Sequence, residues 1–355
     1  MKKILIPLIF ILIISTSLLT ACSGAAFTPN GWAGLTVDHE TAYLAYSQYI
    51  YAINVADGVE KWRYPAKPDA KTTFFSPPVL TNDGQLLVSS YGNKLISLNP
   101  ATGGENWTFP STNHFIGSPL VVGETIFAPC ADNILYVIDL KGTKLWEFTA
   151  GGPLWTTPIT DSENKHLFFT SMDHKIYALD IQTHELLWSK DLGSALLGTP
   201  ALSQDGILYI GTFDKQMIAI NSQDRSILWQ SKINGWVWAG PILDEATLYF
   251  GDLSGYFYAM KTDGTTTWSL QPDGPITSSP LVTEAGIYFT TEAGTVYAVD
   301  RLGKPLWNQP IKVTIYSSPV LAGDVILITP QGGDSLLVAL NLNGSPKWSY
   351  TPAKK

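Results

Sequence analysis

Residues 95–107 read LISLNPATGGENW: an apolar run, an Asn-Pro step, a Thr-Gly-Gly turn and a tryptophan. A glycine-rich stretch of this kind serves either a cofactor or a structural joint, and its copies elsewhere bear on which. The tryptophan that follows an apolar run and a turn recurs as Trp62, Trp107, Trp146, Trp188, Trp229, Trp268, Trp307 and Trp348, at spacings of 45, 39, 42, 41, 39, 39 and 41 residues. A second marker runs in phase, a proline opening an apolar strand: Pro78, Pro119, Pro158, Pro200, Pro241, Pro280 and Pro319, with Leu35 in the equivalent place of the first unit. A period near 40 with a fixed order of parts is the mark of a repeat architecture, here of eight units.

Inside a unit the hydrophobic period is two. Residues 280–307, PLVTEAGIYFTTEAGTVYAVDRLGKPLW, predict strands at 281–283, 287–290 and 296–299 and a last one around Trp307, with short turns between them. That pattern is a four-stranded antiparallel meander. Eight such sheets, none able to bury both faces alone, predict an all-β protein: an eight-bladed β-propeller over residues 33–350, with 351–355 as a tail. Composition agrees, since 30 glycines and 23 prolines in 355 residues suit many short strands joined by tight turns. No stretch is amphipathic at helical spacing, which argues against a helical solenoid.

The opening motif then reads as geometry. Four residues before each repeat tryptophan stands Gly58, Gly103, Gly142, His184, Arg225, Gly264, Gly303 or Gly344, which predicts a positive φ between the third and fourth strands. Earlier in the same turn come Asn54, Asn99, Asp139, Asp180, Asn221, Lys261, Asp300 and Asn341; all but the lysine carry a short acceptor suited to an Asx turn. Small residues two places earlier still, such as Ala52, Ser97 and Ala178, are expected to let a neighbouring large ring pack close, each tryptophan filling that space between adjacent blades. Burying a ring of 150–250 Å² at about 25 cal/mol/Å² stabilises by roughly 4–6 kcal/mol as an upper bound.

The N-terminus reads as an address. Met1-Lys2-Lys3 is a short basic region, Ile4 to Leu19 is almost wholly apolar, and Leu19-Thr20-Ala21-Cys22 follows. Leu-x-Ala-Cys resembles a bacterial lipobox, which implies a signal peptide over 1–21, lipidation of Cys22 and a short tether over 22–32; a retained transmembrane anchor or a plain secretory signal are the alternatives. The net charge of −8 becomes −10 without Lys2 and Lys3. An acidic chain suits neither nucleic acid nor anionic lipid, so acyl chains are expected to provide membrane attachment. With Cys22 lipidated, Cys130 is the one thiol left and is expected to be a buried small hydrophobe.

The run Ser97-x-Asn99-x-x-Thr102-Gly103-x-x-x-Trp107, with Ala178-x-Asp180-x-x-Thr183-x-x-x-x-Trp188, resembles the tryptophan-docking repeat of quinoprotein (PQQ) dehydrogenases. In those enzymes the repeat is structural and a quinone with Ca²⁺ sits over the central axis. This chain has no adjacent cysteine pair and little length beyond the eight units, and no cofactor or catalytic residue maps onto a position here. It is more similar to the BamB lipoproteins of the outer-membrane β-barrel assembly machinery, which share the repeat, blade number and lipobox. That resemblance implies a non-enzymatic scaffold with a protein partner such as a β-barrel assembly component, acting as a monomer and needing no cofactor. The alternative is a ligand- or glycan-binding propeller, with a quinone enzyme as its extreme form.

Residue chemistry by itself points the same way. The five histidines show no HxH or HExxH spacing, and no G-x-S-x-G elbow, P-loop or EF-hand loop is present. Asp214, Asp252 and Glu292 fall in turns between second and third strands, where exposure is the expectation. Three residues before each opening position stand Trp32, Phe75, Ile116, Trp155, Leu197, Trp238, Thr277 and Tyr316. With Trp236 nearby, these are expected to form an aromatic collar around the central channel, edged by polar turns such as Asn93, Asn133, Asp173, Lys175 and Lys215. Such a collar either binds a partner or wedges the blades apart. No spare strand exists to latch the first sheet to the last, so closure is expected to rest on side-chain packing.

Overall fold

The computed structural model describes residues 32–69 and 71–353. These residues contain no helix and form eight four-stranded antiparallel sheets in chain order. The first comprises Gly34–Asp38, Thr41–Tyr46, Tyr49–Asn54 and Glu60–Tyr64, and the last Val320–Ala322, Val325–Ile328, Leu337–Asn341 and Pro346–Tyr350. The seventh, whose sequence was read strand by strand above, has Leu281–Thr283, Gly286–Thr290, Thr295–Val299 and Pro305–Pro310. One small element was not expected: in the eighth unit the long second-to-third connection adds a two-stranded pairing of Thr314–Ile315 with Pro330–Gln331.

The core lies between the sheets. Each of eight buried clusters takes its side chains from two consecutive blades; one joins Leu44 and Tyr51 of the first to Leu327 and Ala339 of the eighth, closing the ring. Second and third strands are therefore covered on both faces, as in Leu86–Ser90, which is buried throughout. Fourth strands are peripheral and alternate with solvent, as in Lys144–Thr149. A sheet sandwiched on both faces needs apolar residues at successive positions, which is why the inner strands read as runs such as IYF and the outer ones do not.

The tryptophan joint has a regular construction. Trp62 donates its indole N–H to the Pro100 carbonyl in the next blade's third-to-fourth turn at 2.9 Å. Trp188, Trp229, Trp268 and Trp307 do the same to Ser222, Thr262, Arg301 and Leu342 at 2.8–3.0 Å. Trp107 divides its N–H between Leu140 and the Gln85 side chain. The turn glycine sits under the ring: a Cβ on Gly103 would lie 2.6 Å from Trp62, and one on Gly142 2.8 Å from Trp107. At the two turns without glycine the positive φ persists, at 65° for both His184 and Arg225. There the dock is remade, since His184 lays its imidazole flat on Trp146 at 4.3 Å. Asx bonding holds as expected, with Asn99 Oδ1 accepting from the amides of Ala101 and Thr102. In the unit with Lys261, Asp263 takes that part by accepting from Thr265.

One reading is sharpened and one corrected. The small residue is the tryptophan's own cross-strand partner, as Ala52 is of Trp62 and Ala339 of Trp348, and the ring lies between adjacent blades as expected. A β-bulge follows it at once, turning the fourth strand so that the indole reaches across to the next blade. The rings are also less covered than a full-burial figure assumes, for only Trp188 is buried and the others are half-buried.

Closure uses the same joint without a shared strand. Trp348 donates to the Val55 carbonyl at 2.9 Å and its ring covers Gly58. Tyr350 adds a hydrogen bond to Glu60, which is held by a two-pronged contact from Arg63 at 2.5 and 2.6 Å. Residues 1–31, including the lipobox and Cys22, lie outside the described residues, and no helix among the described ones is long and apolar enough to cross a membrane.

Gly103 and Gly84 both have strongly positive φ, but a Cβ at Gly84 meets nothing within 4 Å. Gly84→Ala should therefore cost about 1 kcal/mol of backbone strain, and Gly103→Ala about 3 kcal/mol because the indole must also give way. Paired denaturant melts check this, and equal losses would show that the ring does not rest on the glycine.

Candidate functional site

The collar positions meet. Trp32, Phe75, Trp155, Trp238 and Tyr316, with Ile116, Leu197 and Thr277, line a single cavity of about 280 Å³. Each precedes a first strand by the same offset, so the eightfold repeat brings residues from all eight units onto one axis. Trp32 and Trp238 belong to the first and sixth blades, yet their rings touch with centroids 5.2 Å apart and planes at 57°. The two indoles thus narrow the bore between them.

Trp236 stands outside this lining, on the rim. It is 47% exposed, and its ring stacks on Phe213 at 5.3 Å and 15°. Phe213 in turn reaches Trp238 at 5.7 Å, which connects the rim to the collar. A second aromatic group lies across from it: Phe75 packs edge-on against Tyr91, and Tyr91 lies flat on His114 at 3.5 Å. Sequence reading missed Phe213, Tyr91 and His114. Their signal was positional, because Tyr91 and Phe213 occupy the same step of the second-to-third turn, where the backbone N–H bonds the chain entering the blade.

The wall has an uncommon polarity. Beside the collar side chains it is lined by Ser and Thr together with small and apolar residues such as Ala33, Leu35, Pro77 and Val320, and none of its side chains carries a charge. Several hydroxyls are used internally: Ser118 donates to Pro77, Thr156 pairs with Thr170, and Ser278 with Thr290. Others are unpartnered, namely Ser76 Oγ, Thr277 Oγ1 and the Trp155 indole nitrogen. Among the described residues no group of three or more His, Cys, Asp or Glu side chains is placed to hold a metal ion.

Of the turn carboxylates expected to be exposed, Asp214 is, whereas Asp252 and Glu292 are not. Asp252 is fully buried; it accepts from the Tyr258 hydroxyl at 2.9 Å and from the amides of Ser254 and Tyr256. Asp132 and Asp173 repeat the Asp–Tyr pairing with Tyr136 and Tyr177. These acids tie the turns together and are not free to react. Glu292 lies at a half-buried place where desolvation pushes its carboxyl above the usual range. Cys130 is buried as expected, with its thiol pushed up to about 12 by burial, which leaves it unreactive near neutrality.

A family model described as outer membrane protein assembly factor BamB matches residues 46–162, 141–235 and 226–355. The chain belongs to the BamB family. The crystal structure of BamB from Moraxella catarrhalis is similar with a TM-score of 0.69 at 15% identity, over 87% of this chain and 91% of that one. The computationally designed protein Ika8 is similar with a TM-score of 0.72 at 13% identity, over 91% and 97%. A europium-containing methanol dehydrogenase gives 0.71 at 13%, over 84% and 83%. Likeness at such identities is a likeness of fold. The lanthanide-dependent methanol dehydrogenase of Methylacidiphilum fumariolicum (strain SolV) is 34% identical over 76 residues, 21% of this chain and 12% of the enzyme, so the chain matches about an eighth of that enzyme's length. The BamB-type propeller is thus common ground for an assembly factor, an enzyme and a design, and function has to come from the residues of the collar.

His114 allows a pH test of the collar's packing. Burial lowers its pKa, and its Nδ1 has no hydrogen-bond partner. A base whose folded pKa lies below its unfolded value adds stability at high pH and loses it as pH falls through the unfolded value near 6.5. Melting temperature should therefore drop more steeply between about pH 7 and pH 5.5 in the native chain than in His114→Gln; parallel curves would show that His114 is not held neutral by the fold.

Proposed function

We propose that this chain is a non-enzymatic, membrane-anchored lipoprotein that works as a protein-binding scaffold in outer-membrane β-barrel assembly. The observation that carries the reading is the aromatic rim: the half-exposed Trp236, stacked on Phe213 and connected to Trp238, beside polar turns, within a BamB-family fold. Large flat side chains fixed by stacking lose little entropy on binding, and tryptophan is over-represented among interface residues that dominate affinity.

The donor set supports the non-enzymatic part. A quinone with a hard cation needs carboxylate and carbonyl oxygens turned toward the axis, whereas this bore is lined by uncharged hydroxyls and rings and narrowed by Trp32 and Trp238. The residues present do not fit such a group. Anchoring at Cys22 would leave about ten residues before Trp32, a reach on the order of 35 Å at full extension. That length keeps the propeller beside its bilayer, where it acts as a monomeric platform for a membrane-protein assembly component.

The test is crosslinked recovery from membranes of a host with an outer membrane. A β-barrel assembly component should accompany the native chain, and Trp236→Ala should lower its recovery about tenfold with the melting temperature unchanged. Absence of any such component from the native sample would overturn the scaffold role, and undiminished recovery with Trp236→Ala would remove the aromatic rim from it.

A further inference from the structure

We propose that the rim arc from Phe213 through Trp236 and Leu253 to Glu292 receives a protein segment in which an arginine stands beside apolar side chains, the guanidinium pairing with the Glu292 carboxylate. This rests on the protein-scaffold reading and narrows it, by naming the partner's chemistry and one end of its footprint.

The second-to-third turns supply one repeated rim position, held in blades two to seven by Tyr91, Ala131, Met172, Phe213, Leu253 and Glu292. At each, the backbone N–H donates to a carbonyl of the chain entering that blade. Of the six, only Glu292 carries a charge. The arc that reaches it is continuous: the Leu253 N–H bonds the Trp236 carbonyl at 2.9 Å, the Ile276 N–H the Asp252 carbonyl at 3.1 Å, and the Glu292 N–H the Pro275 carbonyl at 2.9 Å. Phe213, Leu253 and Pro275 are half-buried and Trp236 is exposed, so the arc presents apolar surface along its length. Beyond Glu292 it is bounded. A Cβ on Gly294 would lie 2.3 Å from the Val313 carbonyl, and the next residues, Thr314–Ile315, are tied to Pro330–Gln331.

The other rim acids are already engaged. Asp132 and Asp173 accept from Tyr136 and Tyr177, Asp214 from Thr212, Asp252 from Tyr258, and Asp273 from Thr291 and Thr295. Glu292 is in no ion pair among the described residues, and burial alone bears on its carboxyl. A partly desolvated carboxylate without a cation is a standing cost that an arriving cation removes. A divalent metal needs several oxygen ligands where this place offers one carboxylate, and among the described residues no cluster of acids and histidines stands by to complete the set. An anionic membrane surface is repelled by a rim acid on a chain of net charge −8. A free ammonium would leave the face of Trp236 in water. A guanidinium within an apolar segment meets both demands, being weakly hydrated and able to stack on a ring.

The test places a photocrosslinking benzoylphenylalanine at Ala293, beside Glu292, and separately at Asn234, near Trp236. The full-length chain is irradiated in a host with an outer membrane and the captured peptide is sequenced. Both sites should capture the same protein, and the segment caught at Ala293 should carry an arginine among apolar residues. Glu292→Gln, which keeps the shape and removes the charge, should lower capture at Asn234 about tenfold without lowering the melting temperature. Replacing the partner's arginine by glutamate should do the same, and combining that change with Glu292→Arg should restore capture. Capture at Asn234 but not at Ala293 overturns the proposal and leaves the scaffold reading standing, as does undiminished capture with Glu292→Gln or a captured segment without arginine. Failure to capture any protein at either site overturns the scaffold reading and this one with it.

Discussion

In seven of the eight blades the repeat indole is bonded to a backbone carbonyl that belongs to the next, Trp146 stacking on His184 instead. This one contact carries three requirements at once. It needs a fourth strand bent by a bulge, a small residue opposite the ring, and a neighbouring turn with nothing above its Cα. Glycine at the turn answers two demands that are usually separate, a left-handed backbone and an open face. Where His184 replaces it, only the first demand is met, and the second is handled by laying one flat ring on another.

Because the core lies between blades, no sheet carries a complete hydrophobic interior. Each cluster is half of one blade and half of the next, including the one that joins the first to the eighth. The ring therefore gains its last interface only when both ends of the chain are in place. The Arg63, Glu60 and Tyr350 contacts at that joint reinforce it beyond the common pattern, where no continuous strand does so.

Much of this was legible in the chain. Trp62 to Trp348 and the prolines in phase with them set the blade count, and the period of two within residues 280–307 placed four strands there to within a residue. The collar was legible too, since a fixed offset before Pro78, Pro158 or Pro319 becomes a fixed radius once the ring closes. Other parts were not. A one-dimensional pattern relates Ala52 to Trp62 but does not say whether they share a sheet or face across two. Asp252 looked exposed because its turn sits at a blade end, where the entering chains at Trp236 and Ile276 bond the turn and Tyr258 bonds the carboxylate. Phe213 and Tyr91 were hidden because that step of the turn varies in type from unit to unit. The unpartnered buried polar atoms of Ser76, Trp155 and Thr277 could not be foreseen, as they depend on which groups find partners in the packed structure.

The position of Trp32 has a mechanical side. Tension carried by the segment that precedes it enters the propeller at a ring lodged against Trp238, before it reaches the five paired positions that hold Gly34–Asp38 to Thr41–Tyr46. Parting two tilted rings takes far less work than peeling a strand. A modest pull from the N-terminal side would be absorbed by sliding one indole out of the bore, leaving the first blade intact. The Trp32–Trp238 contact is then the first to part along that path, ahead of any strand pairing.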